Sequence, residues 1–223
     1  MRYTVAVLDI DGTIVDSNDA HARAWVEALA LHGRVVDFHS VRKLIGVGGD
    51  KLLRQIANID SDSVEGRRIS ASRRSIFRAE HLPSLRPTRG ARRMIEWLRR
   101  EGVVIAIATS AQAAEVNGLL KAAGVDDLID RVASSDDADA SKPDPDIVTA
   151  ALQKSGASRD SAIMVGDTPY DIEAATAAGI STIAFRTGGW ADEDLSSALA
   201  IFDDPEDLVT GRAESPFAEP TAL

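Results

Sequence analysis

Short apolar runs separated by stretches of helical length and period constrain this chain more than any other feature of its sequence. Nearly continuous apolar runs of this length are typical of parallel strands that are buried on both faces of a sheet. Strands that alternate with helices form an α/β fold, so the sequence predicts a doubly wound, parallel, Rossmann-like sheet. The runs lie at residues 3–8, 103–108, 128–133 (a weaker one), 162–165 and 182–185.

The interval between the first and second runs breaks this rhythm. It contains segments of helical character at 24–31, 50–56 and 64–79 and no convincing strand. We therefore predict a helical cap domain at 17–83, inserted into a core formed by 1–16 and 84–210, with hinges near 16–17 and 83–87. The last residues, with Pro216 and Pro220, predict a flexible tail at 211–223.

Composition and charge exclude several classes of protein. The chain has no cysteine, which excludes disulfides and thiolate metal sites. No apolar run approaches the roughly 20 residues of a membrane span, and the N-terminus lacks the pattern of a signal peptide, so we expect a cytoplasmic protein without a membrane partner. The net charge of −10 argues against nucleic acid as a partner. A small-molecule ligand and a monomer or homodimer are expected instead.

Polar side chains follow the ends of the predicted strands. Each of them alone has a simpler interpretation, as a turn, a helix cap or a solvated charge. The carboxyl ends of parallel strands meet at one edge of a sheet, however, and ligands bind there. Together these residues predict a site that combines acids, hydroxyls and one cation, namely Asp9, Asp11, Thr13, Thr109, Ser110, Lys142, Asp167 and Asp171.

The order of these residues resembles the haloacid dehalogenase (HAD) superfamily. The resemblance spans residues 3–208, and the helical insert sits where that superfamily carries its small C1 cap. The second acid of the first motif, Asp9-x-Asp11-Gly12-Thr13, resembles the phosphatase and phosphomutase branch. The resemblance implies a magnesium-dependent phosphatase that hydrolyses a small phosphorylated metabolite, of the phosphoglycolate or sugar phosphate type, through an aspartyl phosphate.

The same resemblance implies the roles of the acids. Asp9 would be the nucleophile, and Asp11 the general acid that later serves as the base. Magnesium would be held by the Asp9 side chain, the Asp11 backbone carbonyl and Asp167. Asp11 can act as an acid near neutral pH only if its proton is shared or its pKa is raised, and closure of an apolar cap could raise it.

Further core residues would contact the phosphoryl group. The resemblance implies that Thr109, the backbone N–H of Ser110 and Lys142 bind its oxygens. Thr13, in the first motif, is a further predicted substrate-binding residue. Asp171 would orient Lys142 or a metal-bound water.

In the cap, His21 and Gly49 are predicted to bind substrate. The segment from His21 to Trp25 resembles the first cap helix both of β-phosphoglucomutases and of phosphoglycolate-phosphatase-like proteins, although His21 could equally be a core or surface histidine. Gly49 lies where such mutases place an arginine that grips a second phosphate. This favours hydrolysis, but mutase-like phosphoryl transfer and a non-catalytic interaction protein of the same fold remain alternatives.

The segment 63–93 is strongly basic, with nine arginines and only two acidic residues. On a helix, Arg67, Arg74 and Arg78 share the face opposite Ile69 and Ile76. This pattern indicates either a solvated basic face or a group of arginines that draws an acidic substrate toward the cleft.

Overall fold

The computed structural model describes residues 3–129, 131–211 and 215–217. Its strands in chain order are β1 (Val5–Leu8), β2 (Val15–Asp16), β3 (Arg86–Pro87), β4 (Val104–Ala108), β5 (Val132–Ala133), β6 (Ala162–Gly166), β7 (Ser181–Phe185) and β8 (Ala200–Phe202). A six-stranded sheet has the order β5-β4-β1-β6-β7-β8 and is parallel throughout. The β2 and β3 strands pair antiparallel as a separate ribbon.

Helices cover both faces of the six-stranded sheet. In chain order they are α1 (Asn18–Leu31), α2 (Phe38–Arg42), α3 (Gly49–Ala57), α4 (Val64–Ile76), α5 (Ala91–Arg100), α6 (Ala113–Ala123), α7 (Asp146–Ser155), α8 (Pro169–Ala178) and α9 (Pro205–Thr210). The apolar sides of α5, α6 and α9 pack on one face of the sheet, and those of α7 and α8 pack on the other. The predicted doubly wound α/β fold is confirmed.

The central strand shows why the sequence contains near-continuous apolar runs. In β1, Ala6 and Leu8 belong to the apolar cluster on one face, whereas Val5 and Val7 belong to the cluster on the other. All four residues are buried, since helices cover both faces. Strands β4 and β6 flank β1, so the strand order changes direction at β1, where α/β sheets bind ligands.

Residues 17–83 contain α1 to α4, which enclose an apolar cluster of their own that includes Leu29, Leu53 and Ile69. We call these residues the cap, and the sheet with its flanking helices the core. The two connections between cap and core lie side by side, because Asp16 pairs with Arg86 in the ribbon. Helix α2 was not predicted, since five residues are too few to show a helical period.

Two features of the core differ from the sequence predictions. Edge strand β8 is only half-buried and three residues long, so its apolar run is too short to stand out. Within the predicted flexible tail, Phe217 is buried and packs edge-on against Tyr3 and Trp97. A single aromatic residue gives no periodic signal from which this contact could be predicted. The rest of that tail, 212–214 and 218–223, lies outside the described residues.

None of the helices formed by the described residues has both the length and the apolar character that a bilayer crossing requires.

Candidate active site

Asp9 lies at the centre of the site because it directly follows β1. Its backbone N–H donates to the carbonyl of Val165 on the neighbouring strand, at 2.9 Å, which continues the sheet pairing by one residue. Its side chain is 7% exposed. Burial raises the pKa of Asp9 to about 7, against the opposing charge of Lys142 and with a further rise from Asp171.

Lys142 is the cation of the core half of the site and is 1% exposed. Its Nζ donates to Asp9 Oδ1 at 2.5 Å and to Asp171 Oδ1 at 2.7 Å. Burial alone lowers the pKa of Lys142, but the charges of Asp171 and Asp9 outweigh that effect and raise the pKa above its ordinary value. Lys142 therefore stays charged between two carboxylates.

Asp171 is fixed by the first turn of α8. Its Oδ2 accepts hydrogen bonds from the Thr168 hydroxyl at 2.7 Å and from the backbone N–H groups of Thr168 and Asp167 at 3.1 and 3.2 Å. Gly166 makes this approach possible, because a Cβ at that position would lie 2.5 Å from the Asp171 side chain. Its other oxygen, Oδ1, contacts Lys142, so Asp171 lies where it could orient that lysine. The alternative role, orientation of a metal-bound water, stays a prediction.

Asp167 is fully buried and is held by one residue that follows β1 and by the first residue of α1. Thr13 donates to its Oδ1 at 3.2 Å, and Asn18 donates to its Oδ2 at 2.8 Å. The hydroxyl of Thr13 thus contacts a predicted metal ligand, and its contact with substrate stays a prediction. Gly12 has φ +79°, and a Cβ there would lie 1.9 Å from Asp167 Oδ2, so this turn requires glycine.

Three carboxylates in the core fit a divalent cation. Oxygen atoms of Asp9, Asp167 and Asp171 all lie within 4.8 Å of one another. Burial raises the pKa of Asp167 well above its ordinary value, and the charges of Asp171 and Asp9 raise it further. Three buried acids share the single charge of Lys142, so a bound cation would offset the excess negative charge. Carboxylate oxygens are the ligands that hard divalent ions prefer.

The Asp11 side chain contacts two residues of the cap. Its Oδ1 accepts hydrogen bonds from Ser17 Oγ at 2.5 Å and from His21 Nε2 at 2.7 Å. Burial raises the pKa of Asp11, but the contact with His21 and the hydrogen bond from Ser17 outweigh burial and lower the pKa below its ordinary value. The expectation that the cap raises this pKa is wrong, because the cap supplies hydrogen-bond donors as well as apolar surface. The alternative, a proton that Asp11 shares, stays a prediction.

The phosphate-binding residues predicted after β4 lie at the same sheet edge. Thr109 is fully buried, and its Oγ accepts a hydrogen bond from the backbone N–H of Ala111 at 3.0 Å. Ser110 faces the cavity described below, where its hydroxyl donates to the Gly46 carbonyl of the cap at 3.2 Å. Asp9, Thr109 and Asp167 thus follow the carboxyl ends of β1, β4 and β6, which are neighbours in the sheet.

A cavity of about 470 Å³ lies between this sheet edge and the cap. Asp9 and Asp11 form part of its wall on the core side. From the cap it is lined by residues that include His21, Trp25, Gly49, Arg67, Arg73 and Arg74. Arg78, which was grouped with Arg67 and Arg74 on one helix face, is exposed and does not line the cavity.

Arg73 is the cap residue that the sequence analysis did not identify. Its Nη1 donates to both carboxylate oxygens of Glu115 on α6, at 2.8 Å each, and its Nη2 donates to His21 Nδ1. The ring of His21 stacks on Phe77 with 4.0 Å between ring centroids. His21, a predicted substrate-binding residue, is therefore held between Arg73 and Asp11.

Comparison with known proteins identifies the family. A sequence model described as haloacid dehalogenase-like hydrolase matches residues 6–185. The chain belongs to the haloacid dehalogenase-like hydrolase family. The phosphoglycolate phosphatase of Rhodospirillum rubrum is 30% identical over 210 residues, which cover 89% of this chain and 86% of that protein. The fructose-1-phosphate phosphatase YqaB of Escherichia coli is 25% identical over 185 residues, covering 83% of this chain and 97% of that protein.

The fold of this HAD protein also has solved counterparts. The crystal structure of a hydrolase from Pseudomonas syringae aligns with a TM-score of 0.88 at 28% identity, covering 95% of this chain and 98% of that one. The predicted superfamily and the predicted enzyme class, a HAD-type hydrolase of phosphate esters, are confirmed.

Proposed function

We propose that this HAD hydrolase is a magnesium-dependent phosphatase that acts on a small phosphorylated metabolite through an aspartyl phosphate on Asp9. One observation carries the proposal. The Asp9 carboxylate lies at the cavity wall, 2.5 Å from the buried ammonium of Lys142 and within 4.8 Å of two further buried carboxylates. A phosphate monoester repels an anionic nucleophile, so cations must accompany the carboxylate that attacks it.

The chemistry divides into two transfers. In the first, an Asp9 oxygen bonds to phosphorus, the bond from phosphorus to the ester oxygen breaks, and the leaving oxygen takes a proton from Asp11. Because the pKa of Asp11 is lowered, we propose that Asp11 shares this proton with His21 across their 2.7 Å contact. In the second, water attacks the phosphorus and gives a proton to Asp11, and the bond between Asp9 and phosphorus breaks. Both Asp9 and Asp11 line the cavity where the substrate would bind.

The remaining core residues serve binding and orientation. Lys142 carries a charge that would persist beside the phosphoryl group throughout both transfers. Thr109 and the Ser110 N–H, after β4, are the proposed ligands of the other phosphoryl oxygens. Asp171 holds Lys142 in place at 2.7 Å.

The fit of the three carboxylates extends the proposal to the metal. Asp9 and Asp167 would bind magnesium through their side chains and Asp11 through its backbone carbonyl, and Asp171 lies within reach of the same ion. When bound, the ion offsets the negative charge that accumulates between Asp9 and the phosphoryl group.

The cavity supports a small substrate with a second anionic group. Its volume of about 470 Å³ suits a metabolite of modest size. The guanidinium of Arg67 donates to the backbone carbonyl of Asp62. The guanidinium of Arg74 donates to the side-chain amide oxygen of Gln112 at 3.0 Å. Neither contact neutralises the arginine. Phosphoglycolate, which carries a carboxylate, is therefore our leading candidate, and sugar phosphates come second.

Mutase-like transfer is less well supported. A Cβ at position 49 would lie 2.9 Å from the indole of Trp25. An arginine at this position, where related mutases grip a second phosphate, would therefore require Trp25 to move. A non-catalytic role is also disfavoured, since the acids and the lysine of the motif lie together around one cavity.

The test is a turnover assay on the purified protein. We expect release of phosphate from p-nitrophenyl phosphate with magnesium, a higher kcat/KM for phosphoglycolate, and no activity in excess chelator. Calcium should inhibit, because its larger and more flexible coordination shell relaxes the geometry for attack. Absence of turnover on p-nitrophenyl phosphate, phosphoglycolate and sugar phosphates alike would refute the function. Full activity in chelator would refute the metal assignment.

A further inference from the structure

Lys142 lies in an irregular part of the core. Residues 138–145, here called the lysine segment, connect the turn after β5 to α7 and contain neither helix nor strand. Asp9, in contrast, directly follows β1, so the register of the sheet fixes its backbone. Sheet pairing in the part of the chain before Lys142 ends at Ala133. The backbone position of Lys142 therefore depends on other contacts of the lysine segment.

Two residues of the cap contact this segment on both sides of Lys142. Ser141, which directly precedes Lys142, donates from its Oγ to Asp50 Oδ1 at 2.7 Å. Lys51 Nζ donates to the Ser141 carbonyl and, at 2.6 Å, to Asp144 Oδ2. Within the described part of the chain, the hydrogen bonds that Ser141 and Asp144 make outside the segment are all with these two cap residues.

Gly48 makes the contact between the cap and the lysine segment close. A Cβ at this position would lie 2.2 Å from the Cβ of Ser141 and 2.4 Å from Asp50 Oδ1. Both distances are far shorter than a van der Waals contact, so even a methyl group would separate the two chain segments. Gly48, Asp50 and Ser141 also line the cavity. A shift of the cap would therefore be transmitted to the lysine segment at the edge of the site.

The exposure of these groups indicates a role in position more than in stability. The side chains of Lys51 and Asp144 are 25% and 53% exposed, and exposed ion pairs contribute little to stability. A displacement of about 1 Å can nevertheless cost a catalytic group about 100-fold in rate. Resting on the function proposed above, we propose that Asp50 and Lys51 are positioning residues for Lys142. The docked cap holds the lysine segment, and thereby sets the backbone from which the Lys142 ammonium reaches the phosphoryl group.

This role predicts an effect that does not depend on the substrate. Lys142 faces the phosphoryl group, which every substrate shares, so its displacement should lower kcat/KM by the same factor whatever the leaving group. A residue that recognises the leaving group would change the ratio between substrates instead. Asp50 and Lys51 also have opposite charges. Attraction of an anionic substrate would therefore respond to their removal in opposite directions, whereas loss of positioning lowers activity in both cases.

The test uses p-nitrophenyl phosphate, phosphoglycolate and glucose 6-phosphate with the magnesium-loaded enzyme. Lys51→Met and Asp50→Ala should each lower kcat/KM by about 10-fold on all three substrates. Inorganic phosphate, added as a product inhibitor, reports the same contact without chemistry, and its inhibition constant should rise by about threefold or more in both variants. Thermal unfolding of each variant should match that of the unmodified enzyme, because both positions are at least partly exposed.

Two further variants test the contact with Ser141. Asp50→Asn keeps an oxygen that can accept from the Ser141 hydroxyl, so it should retain most of the activity that Asp50→Ala loses. Ser141→Ala should lose about as much as Asp50→Ala. The double variant should lose little more than either single one, since both changes break the same hydrogen bond.

Two control variants separate this role from loss of charge and from cap docking in general. Lys43→Met removes the same charge from an exposed lysine of the cap. Arg42→Gln breaks a hydrogen bond between cap and core that lies outside the lysine segment, to the Gly188 carbonyl at 3.0 Å. In both controls kcat/KM should stay within about twofold of the unmodified enzyme.

Four outcomes would overturn the positioning role and leave the phosphatase function intact. They are no loss in the Asp50 and Lys51 variants, losses that differ among the three substrates, effects of opposite sign, and an equal loss in Arg42→Gln. An unmodified enzyme that turns over none of the three substrates would refute the function itself.

Discussion

The core half and the cap half of the site hold their charged groups in different ways. In the core, Asp9 and Asp167 directly follow β1 and β6, and Asp171 lies in the first turn of α8. The partners of these short side chains include backbone N–H groups, Lys142 and nearby hydroxyls. In the cap, the long side chain of Arg73 reaches across the cavity from a helix to Glu115.

The difference shows what fixes the positions of the charged side chains in each half of the site. The register of the sheet sets the positions of short side chains at strand ends. Leu8, which precedes Asp9, pairs with Ile107 of β4 and with Val165 of β6. A long side chain on an inserted domain is positioned only while that domain is docked. We therefore expect changes in the core to abolish chemistry or stability, and changes in the cap to alter proton transfer and substrate choice.

The largest effect is expected for Asp9→Asn. Removal of the nucleophile should lower kcat by about 10⁴-fold or more, while the fold is retained because Asn is nearly isosteric. Steady-state turnover and circular dichroism measure the two properties. Asp160→Asn is the matched control, since Asp160 is exposed and precedes β6 at the opposite edge of the sheet. Turnover of Asp9→Asn within tenfold of the unmodified enzyme would exclude Asp9 as the nucleophile.

Lys142→Ala should affect both activity and stability. Loss of the cation leaves Asp9 and Asp171 buried without it, which should lower the free energy of unfolding by about 3–5 kcal/mol. We also expect kcat/KM to fall by about 10²- to 10³-fold. Urea unfolding and steady-state kinetics provide the measurements.

The comparison of the two halves is sharpened by Lys51→Ala, which removes a cap lysine that is paired with the more exposed Asp144. Its free energy of unfolding should change by less than about 1 kcal/mol. If both lysine variants changed stability equally, the contrast between a buried core network and a docked cap would be wrong. An unchanged kcat/KM in Lys142→Ala would reduce Lys142 to a structural cation.

The positions of the core residues could be predicted from the sequence because most of these residues lie at the ends of strands. Asp9, Thr109 and Asp167 follow β1, β4 and β6, and parallel pairing alone places those ends beside one another. Asp171 lies one helical turn beyond Asp167, so its position follows from α8. No tertiary contact beyond the sheet is needed for these predictions.

The cap contribution could not be predicted in the same way. Arg73 is separated from Glu115 by 42 residues, and the contact depends on how α4 docks against α6. In the sequence, Arg73 is one of nine similar arginines between residues 63 and 93. The lowered pKa of Asp11 was missed for the same reason, since it results from the contact with His21 of the cap.

The smallest effect, and the one that most directly tests the cap, concerns its remaining arginines. Arg67 and Arg74 line the cavity, whereas Arg78 on the same basic segment does not. Arg67→Gln and Arg74→Gln should each raise KM for phosphoglycolate by about tenfold, which corresponds to about 1.4 kcal/mol of lost binding to its carboxylate.

The same variants should leave KM for p-nitrophenyl phosphate unchanged, because that substrate has no second anion. Arg78→Gln is the matched control and should change neither value. Equal effects of all three substitutions would mean that a diffuse positive field attracts the substrate, since such a field does not depend on which arginine faces the cavity. If none of the three substitutions changed KM, the interpretation of these arginines as a solvated basic face would hold. Only an effect confined to Arg67 and Arg74, and to the acidic substrate, means that the docked cap selects substrates by direct contact.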